Sequence, residues 1–128
     1  MEQYLIDTNS ISDYFSEFLP SNGIRFMDDA LDNIPNISII TQIELLCWNT
    51  TDIVKATKIQ NFLSDSNIFE INPDVVYNCV AIRKGKKIKT PDAIIAATAV
   101  SLDYILITNN TKDFINIPKL RIINPHLL

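Results

Sequence analysis

The sequence contains few of the residues that nucleotide-binding loops and zinc sites require. Its two glycines, Gly23 and Gly85, lie too far apart to build a dinucleotide fingerprint or a phosphate-binding loop. It has one histidine, His126, and two cysteines, Cys47 and Cys79, which excludes a histidine-rich or four-cysteine zinc site. Any catalytic metal would therefore be a hard cation such as Mg²⁺ or Mn²⁺, held by oxygen ligands from among the fifteen acidic residues.

Other absences concern the compartment and the class of partner. The first residues, MEQYLIDTNS, show no basic stretch followed by an apolar one, and no apolar run approaches the roughly 18 residues of a membrane span. We therefore expect a cytoplasmic protein with no membrane partner, in which both cysteines stay reduced. The net charge of −4 argues against a general coat for nucleic acid.

Apolar runs alternate with segments of helical spacing along the whole chain. Five short runs predict strands at 3–6, 36–40, 68–71, 104–108 and 121–124. The intervening segments predict helices at 8–19, 24–33, 41–48, 51–63, 73–83 and 90–102, with Thr51 and Thr90 as N-caps. Strands that alternate with helices imply a mostly parallel sheet of four to five strands, covered on both faces by helices, in one domain over residues 1–128.

The carboxyl ends of the predicted strands bring acidic residues together. Asp7 directly follows strand one, and Glu44 lies one helical turn beyond strand two. Asp92 lies in the first turn of the helix before strand four, and Asp113 follows that strand. Because ligands bind beyond the carboxyl ends of parallel strands, we expect these acids to converge at one edge of the sheet. Converging carboxylates repel one another and need a cation, which at this edge would be divalent.

Helix capping offers another explanation for each acid taken alone. Asp7 can cap the helix that follows it, and Glu44 completes a Thr41-x-x-Glu44 capping box. Asp92 complements a helix dipole, and Asp113 suits a turn. Capping does not explain why all four acids lie at the same predicted edge of the sheet.

Four segments of the sequence together resemble a known family. They are YLIDTNSISDYF, TQIELL, KTPDAIIAATA and ILITNNTKDF. In this order they resemble the PIN-domain ribonucleases, and most of all the VapC-type toxins of prokaryotic toxin–antitoxin pairs. The resemblance implies a three-layer α/β/α PIN-like domain that cleaves structured RNA, such as transfer RNA, with Mg²⁺ or Mn²⁺. It also implies products with 5′-phosphate and 3′-hydroxyl ends, a homodimer, and a cognate antitoxin.

The resemblance also assigns the site residues. It implies that Asp7, Glu44 and Asp92 are the metal-binding catalytic carboxylates. Thr8 and Asn9 would support the first of them from the adjacent turn.

The fourth acidic position differs from that of many relatives. They carry an acid near the positions of Asn109 and Asn110, where this chain has amides. Asp113 is the candidate for a fourth catalytic and metal-binding acid, with Asn110 supporting it. The amides keep open the alternative of a non-catalytic PIN-like module that binds RNA or an antitoxin. A phosphotransferase of the haloacid dehalogenase type fits poorly, because it expects an aspartate where this chain has Asn9.

One short segment contains five of the eleven basic residues, namely Arg83, Lys84, Lys86, Lys87 and Lys89. A solvated loop explains such a run of charge. An acidic pocket that cleaves RNA, however, needs positive charge at its rim to attract phosphate. We therefore expect these five residues to bind RNA.

Overall fold

Five short parallel strands form the centre of the fold. The computed structural model describes residues 2–128 and contains two hydrogen-bonded ladders. In the first ladder, β1 (Tyr4–Ile6) pairs with β4 (Ile105–Ile107), which pairs in turn with β5 (Ile122–Ile123). In the second, β2 (Asn36–Ser38) pairs with β3 (Asn67–Phe69). Each of these pairs is parallel, as the alternation of strands and helices predicts.

The side chain of Asn36 connects the two ladders. β2 lies beside β1, which gives the strand order β3-β2-β1-β4-β5. Asn36 Nδ2 donates to the carbonyl oxygen of Tyr4 at 3.1 Å. Asn67 Nδ2 donates to Asn36 Oδ1, also at 3.1 Å. A side-chain amide therefore joins β1 to the second ladder.

Helices cover both faces of the strands. They are α1 (Thr8–Phe15), α2 (Ser21–Asp32), α3 (Ile39–Leu46), α4 (Ile53–Asp65), α5 (Pro73–Gly85), α6 (Thr90–Leu102) and α7 (Thr111–Phe114), followed by a 3₁₀ turn at Pro125–Leu127. Within residues 2–128, none of these helices combines the length and the hydropathy that crossing a membrane requires.

The alternation of strand side chains divides the core into two parts. Leu5 and Leu106 pack on one side, against α5 and α6. Ile6 and Ile107 pack on the other side, against α1, α2, α3 and α4. Because successive strand residues point to opposite faces, the strands are a central layer between two layers of helices. The predicted three-layer α/β/α fold is confirmed.

Side-chain caps place two helix starts differently from the sequence-based expectation. The β-branched run predicts a strand that continues to residue 40, but Ser38 Oγ accepts the N–H of Ile40 at 3.1 Å. α3 therefore begins at Ile39, two residues before the predicted start at residue 41. α4 is capped by Asp52 and not by Thr51, because the Asp52 carboxylate accepts two backbone N–H groups of the first turn.

Three further boundaries also differ. The spacing predicts a first helix that reaches residue 19, but α1 ends at Phe15, since Glu17 takes a left-handed backbone with φ of 61°. α2 begins at Ser21, directly after Pro20, and not at residue 24. α6 includes Thr90 as its first residue, so the residue before it occupies the N-cap position without a side-chain cap.

Candidate active site

Asp7 lies at the end of β1, where three donors hold its buried carboxylate. Oδ1 accepts the backbone N–H of Thr8 at 2.8 Å. Oδ2 accepts Asn9 Nδ2 at 2.9 Å and the hydroxyl of Thr108 at 2.8 Å. A carboxylate has about four lone-pair directions, so three donors leave one direction open on Oδ1. None of the donors is a cation, so the negative charge is held in place without being neutralised.

The electrostatic surroundings of Asp7 disfavour its charge. Burial raises the pKa of Asp7 from 3.8 to about 6. The hydrogen bonds from Thr108 and Thr8 oppose this rise, while the negative charges of Asp92 and Glu44 add to it. A buried carboxylate beside other carboxylates marks a place where a bound cation would be strongly favoured.

Glu44 extends from α3 toward the start of α1. Thr8 Oγ1 donates to Glu44 Oε1 at 2.7 Å and lies 3.2 Å from Thr41 Oγ1. The capping-box interpretation is wrong, because Ser38 caps α3 and Thr41 is fully buried inside that helix. Glu44 is instead joined to the turn that holds Asp7.

Asp92 lies in the first turn of α6, beside the same acids. Partial burial raises the pKa of Asp92, the negative charges of Asp113 and Glu44 raise it further, and Lys89 opposes them. Asp92 and Glu44 also raise the pKa of Asp7. The structure therefore brings the predicted acids into one electrostatic cluster.

The cluster opens into a pocket of about 380 Å³. Its lining comprises Asp7, Thr8, Asn9, Ser12, Glu44, Leu45, Trp48 and Asp92. A larger cavity of about 550 Å³ lies at the opposite end of β1 and β2, beside residues such as Glu2 and Asn36. The smaller pocket is the candidate site because it contains carboxylates that no cation neutralises. Such charges indicate a ligand-binding site more strongly than the volume of a cavity does.

The residues after β4 are arranged in two groups. Asn110 Nδ2 donates to Asp113 Oδ2 at 2.9 Å, at the exposed start of α7. Asp113 does not line the pocket, but its negative charge raises the pKa of Asp92, which does. Asn109 Nδ2 donates in another direction, to Asp13 Oδ2 at 2.7 Å. Of the two amides, Asn110 is therefore the one that contacts Asp113.

Comparison with protein-family models identifies the family of this chain. The model of the PIN-domain family matches residues 4–120. The chain belongs to the PIN-domain family. A search of curated proteins found no match.

Solved structures similar to this PIN domain include toxin–antitoxin complexes. One from Klebsiella pneumoniae is 36% identical, with 96% of this chain and 98% of that one covered and a TM-score of 0.71. VapBC2 from Rickettsia felis, bound to a promoter DNA fragment, is 26% identical, with 94% and 97% covered and a TM-score of 0.76. DNA-bound VapBC from Salmonella typhimurium, at 24% identity with 98% and 99% covered, shares the fold with a TM-score of 0.79. The predicted resemblance to VapC-type PIN domains is confirmed.

The acids of this PIN domain fit a cation that prefers oxygen ligands and keeps water molecules. Asp7 has one open lone-pair direction, and Glu44 is exposed to solvent. Residues 2–128 hold no preformed group of three or more His, Cys, Asp or Glu side chains at metal-binding spacing. The carboxylates are therefore an open cluster and not a finished cage. Mg²⁺ suits such a site, because it commonly binds one or two carboxylates and retains several waters.

The basic segment is divided by its contacts. Arg83 Nε donates to the carbonyl oxygen of residue 88 at 3.3 Å. Lys86 Nζ donates to the carbonyl oxygens of residues 115 and 112, at 2.5 Å and 3.5 Å. Lys84, Lys87 and Lys89 are exposed, and the last of them lies close enough to Asp92 to lower its pKa. Lys84, Lys87 and Lys89 are thus the members of the segment best placed to meet a phosphate.

Two residues that are joined to the candidate site by hydrogen bonds, directly or through another residue, were not predicted from the sequence. Thr108 ends an otherwise apolar run, and a polar residue at the end of a predicted strand was the signal that could have identified it. Asp13, on α1, accepts from Asn109 and contacts His126. Nothing in the local sequence distinguishes Asp13 from an ordinary exposed helix residue.

Proposed function

We propose that residues 1–128 form a single domain that is a Mg²⁺- or Mn²⁺-dependent endoribonuclease, the toxin of a type II toxin–antitoxin pair. One observation carries the proposal: Asp7, Glu44 and Asp92, from three separate elements, share one pocket. Burial there raises the pKa values of Asp7 and Asp92, and repulsion from neighbouring acids raises them further. Such mutual repulsion has no benefit for folding, and a divalent cation would remove it. Membership of the PIN-domain family supports the same interpretation.

Each acid has a proposed role set by its position. The cation would be held by four acids, namely Asp7, Asp92, Glu44 and Asp113. When bound, it would polarise the scissile phosphate and lower the pKa of water. Thr8 fixes one oxygen of Glu44, so the other oxygen can orient the attacking water. Thr108 and Asn9 fix Asp7.

The proposed substrate is structured RNA, such as transfer RNA, cut in a single-stranded loop. The pocket is open to solvent, so it admits a splayed strand more readily than a stacked duplex. An acidic pocket repels phosphate, and Lys89, which lies close enough to Asp92 to lower its pKa, would offset that repulsion at the pocket rim. The exposed Lys84 and Lys87 of the same segment would add positive charge for the RNA to meet. We expect the RNA to lie across this rim, with the products ending in 5′-phosphate and 3′-hydroxyl groups.

The proposed partners are a cognate antitoxin and a second copy of the chain, acting in the cytoplasm. Solved structures of relatives are toxin–antitoxin complexes. Exposed apolar side chains on α3 and α4 give an antitoxin a surface to cover: Ile43, Leu46, Ile53 and Val54. An arginine or lysine of the antitoxin that enters the acidic pocket would occupy the place proposed for the cation.

A non-catalytic module that binds RNA or an antitoxin is the second candidate function. Asn109 and Asn110 favour it, because they replace acids that many relatives carry. In this chain Asn110 instead donates to Asp113, which supplies a carboxylate close to that position. The catalytic function is therefore the better supported of the two.

The experiment that tests the proposal is a cleavage assay on a panel of structured RNAs that includes transfer RNAs. We expect cleavage with Mg²⁺ or Mn²⁺, products with 5′-phosphate and 3′-hydroxyl ends, and no cleavage with EDTA or with Asp7→Asn. If the protein binds RNA but cuts none of the panel, the non-catalytic module becomes the better account. Cleavage that survives Asp7→Asn would overturn the assigned site.

A further inference from the structure

We propose that Asp13 and His126 are positioning residues that orient the Asp7 carboxylate through Asn109 and Asn9. The inference rests on the proposed nuclease function only for its effect on cleavage. In the structure, these residues form a continuous path of hydrogen bonds from the C-terminal turn to the acidic pocket. Asp13 lies on α1, and His126 lies in the 3₁₀ turn.

The path begins with one carboxylate oxygen that has two contacts. Asp13 Oδ2 accepts Asn109 Nδ2 at 2.7 Å and lies 2.8 Å from His126 Nε2. The partners approach from different elements, so the carboxylate is held between the segment after β4 and the end of the chain. The side chain of Asn109 is thereby held against α1, the same helix that its backbone N–H contacts.

The path continues to the pocket through a single amide. The backbone N–H of Asn109 donates to Asn9 Oδ1 at 3.0 Å, and Asn9 Nδ2 donates to Asp7 Oδ2 at 2.9 Å. The hydroxyl of Ser10 also donates to Asn9 Oδ1, at 3.2 Å. A reversed Asn9 amide would set its NH₂ group against these donors and its oxygen against the carboxylate. The backbone of Asn109 therefore selects the one amide orientation that supports Asp7.

The C-terminal turn is itself anchored, which makes it suited to this role. Asn124 Oδ1 accepts the N–H of His126 at 2.9 Å, and its Nδ2 lies 3.4 Å from Thr111 Oγ1 at the start of α7. Gly23 on α2 packs so closely that an added Cβ would lie 2.2 Å from the carbonyl oxygen of Pro125. The turn therefore contacts the layer that contains Asp13 and the helix that carries Asp113.

The test compares Asp13→Ala with two variants that separate positioning from folding. Asp13→Asn keeps an acceptor oxygen and should retain the path. Asp28→Ala removes a different contact of α1, the hydrogen bond from the Tyr14 hydroxyl to Asp28 on α2, and should leave the path intact. The readouts on metal-free protein are the side-chain amide NMR signals of Asn9 and Asn109, and then Mn²⁺ affinity by calorimetry.

For Asp13→Ala we expect shifted Asn9 amide signals and a roughly 10- to 100-fold loss of Mn²⁺ affinity, the range typical for partners that orient metal ligands. The kcat for RNA cleavage should fall with little change in KM. His126→Ala removes one of the two contacts of Asp13 and should give a smaller loss of Mn²⁺ affinity in the same direction. If Asp13→Ala does not fold, His126→Ala still tests the path. Asp13→Asn should restore most of the loss.

Unchanged Asn9 signals and Mn²⁺ affinity in Asp13→Ala and in His126→Ala would overturn the inference, whatever happens to cleavage. Equal effects of Asp28→Ala would also overturn it, because they would show general loosening of α1. A wild-type protein that cuts no RNA would overturn the proposed function, while the NMR and Mn²⁺ results would still decide the inference.

Discussion

The hydroxyl of Thr108 donates to Asp7 Oδ2 at 2.8 Å across 101 positions of sequence. The parallel register of β1 and β4 explains this contact, because Ile6 lies opposite Ile107 and the next residue of each strand follows at the same edge. The same hydroxyl accepts the backbone N–H of Asn110 at 3.0 Å. One threonine therefore connects the first acid of the site to the segment that leads to the fourth.

Replacing Thr108 with valine keeps its shape and removes this hydroxyl. We expect Thr108→Val to lose ~1–3 kcal/mol of unfolding free energy, because it leaves buried polar groups unpaired. It should also raise the pKa of Asp7 further, since the hydrogen bond from Thr108 lowers it. The matched control is Thr98→Val, whose buried hydroxyl donates only within its own helix, to Ile94. Equal losses in both variants, measured by urea unfolding, would contradict this account.

The pKa of Asp7 makes the stability of the metal-free protein depend on pH. Its value of about 6, against 3.8 for the ordinary side chain, means that the folded state binds the proton more tightly than the unfolded chain. Stability should therefore fall as the pH rises from about 4 to about 6, by up to ~3 kcal/mol. Urea unfolding in EDTA should show this fall in wild type and lose most of it in Asp7→Asn. Parallel pH profiles for the two proteins would show that Asp7 has no such role.

The contacts of the basic segment predict different effects for its members. Lys86→Ala should destabilise the protein by ~1–2 kcal/mol, because its ammonium group binds carbonyl oxygens at the end of α7. Lys84→Ala combined with Lys87→Ala should leave stability almost unchanged. The double variant should instead lower the slope of RNA affinity against salt concentration by about one for each phosphate that it no longer neutralises. If the slope of RNA affinity against salt concentration does not change, these lysines are solvated surface residues that do not bind RNA.

Replacing each of the two glycines with alanine should change the stability of the protein in opposite directions. Gly23→Ala would place a Cβ 2.2 Å from the Pro125 carbonyl oxygen, so it should displace the C-terminal turn and destabilise the protein. Gly85→Ala meets nothing within 4 Å and ends α5 without a positive φ, so it should stabilise by ~0.5–1 kcal/mol. Thermal unfolding of both variants is the measurement. A stabilising Gly23→Ala would show that the turn is not held in this position.

Much of the site could be predicted because sheet topology works at long range. Asp7 follows a three-residue apolar strand, and parallel pairing with β4 then fixes which end of the sheet it shares with other acids. Asp92 is predictable because a proline at the start of α6 marks its first turn. These inferences need only the order of strands and helices.

The parts that could not be predicted depend on competition between neighbouring side chains. Ser38 caps the start of α3 in place of Thr41, which leaves Glu44 free to contact Thr8. The link between Asp13 and Asn109 depends on rotamers of residues 96 positions apart, which no local pattern encodes. Local sequence indicates which groups could form a cap or a contact, and packing decides which of them do.

The sharpest test of the proposed nuclease site is the rate of cleavage of one RNA substrate during a titration with Mn²⁺. It is measured for wild type, Asp92→Asn and Asp74→Asn. Asp74 is the matched control, because it also follows a proline in the first turn of a helix, α5, and lies outside the pocket. We predict a saturating, EDTA-reversible rate for wild type and Asp74→Asn, and a loss of at least about 100-fold for Asp92→Asn. A rate that is independent of Mn²⁺, or equal in the two variants, would contradict a metal-dependent nuclease at this pocket.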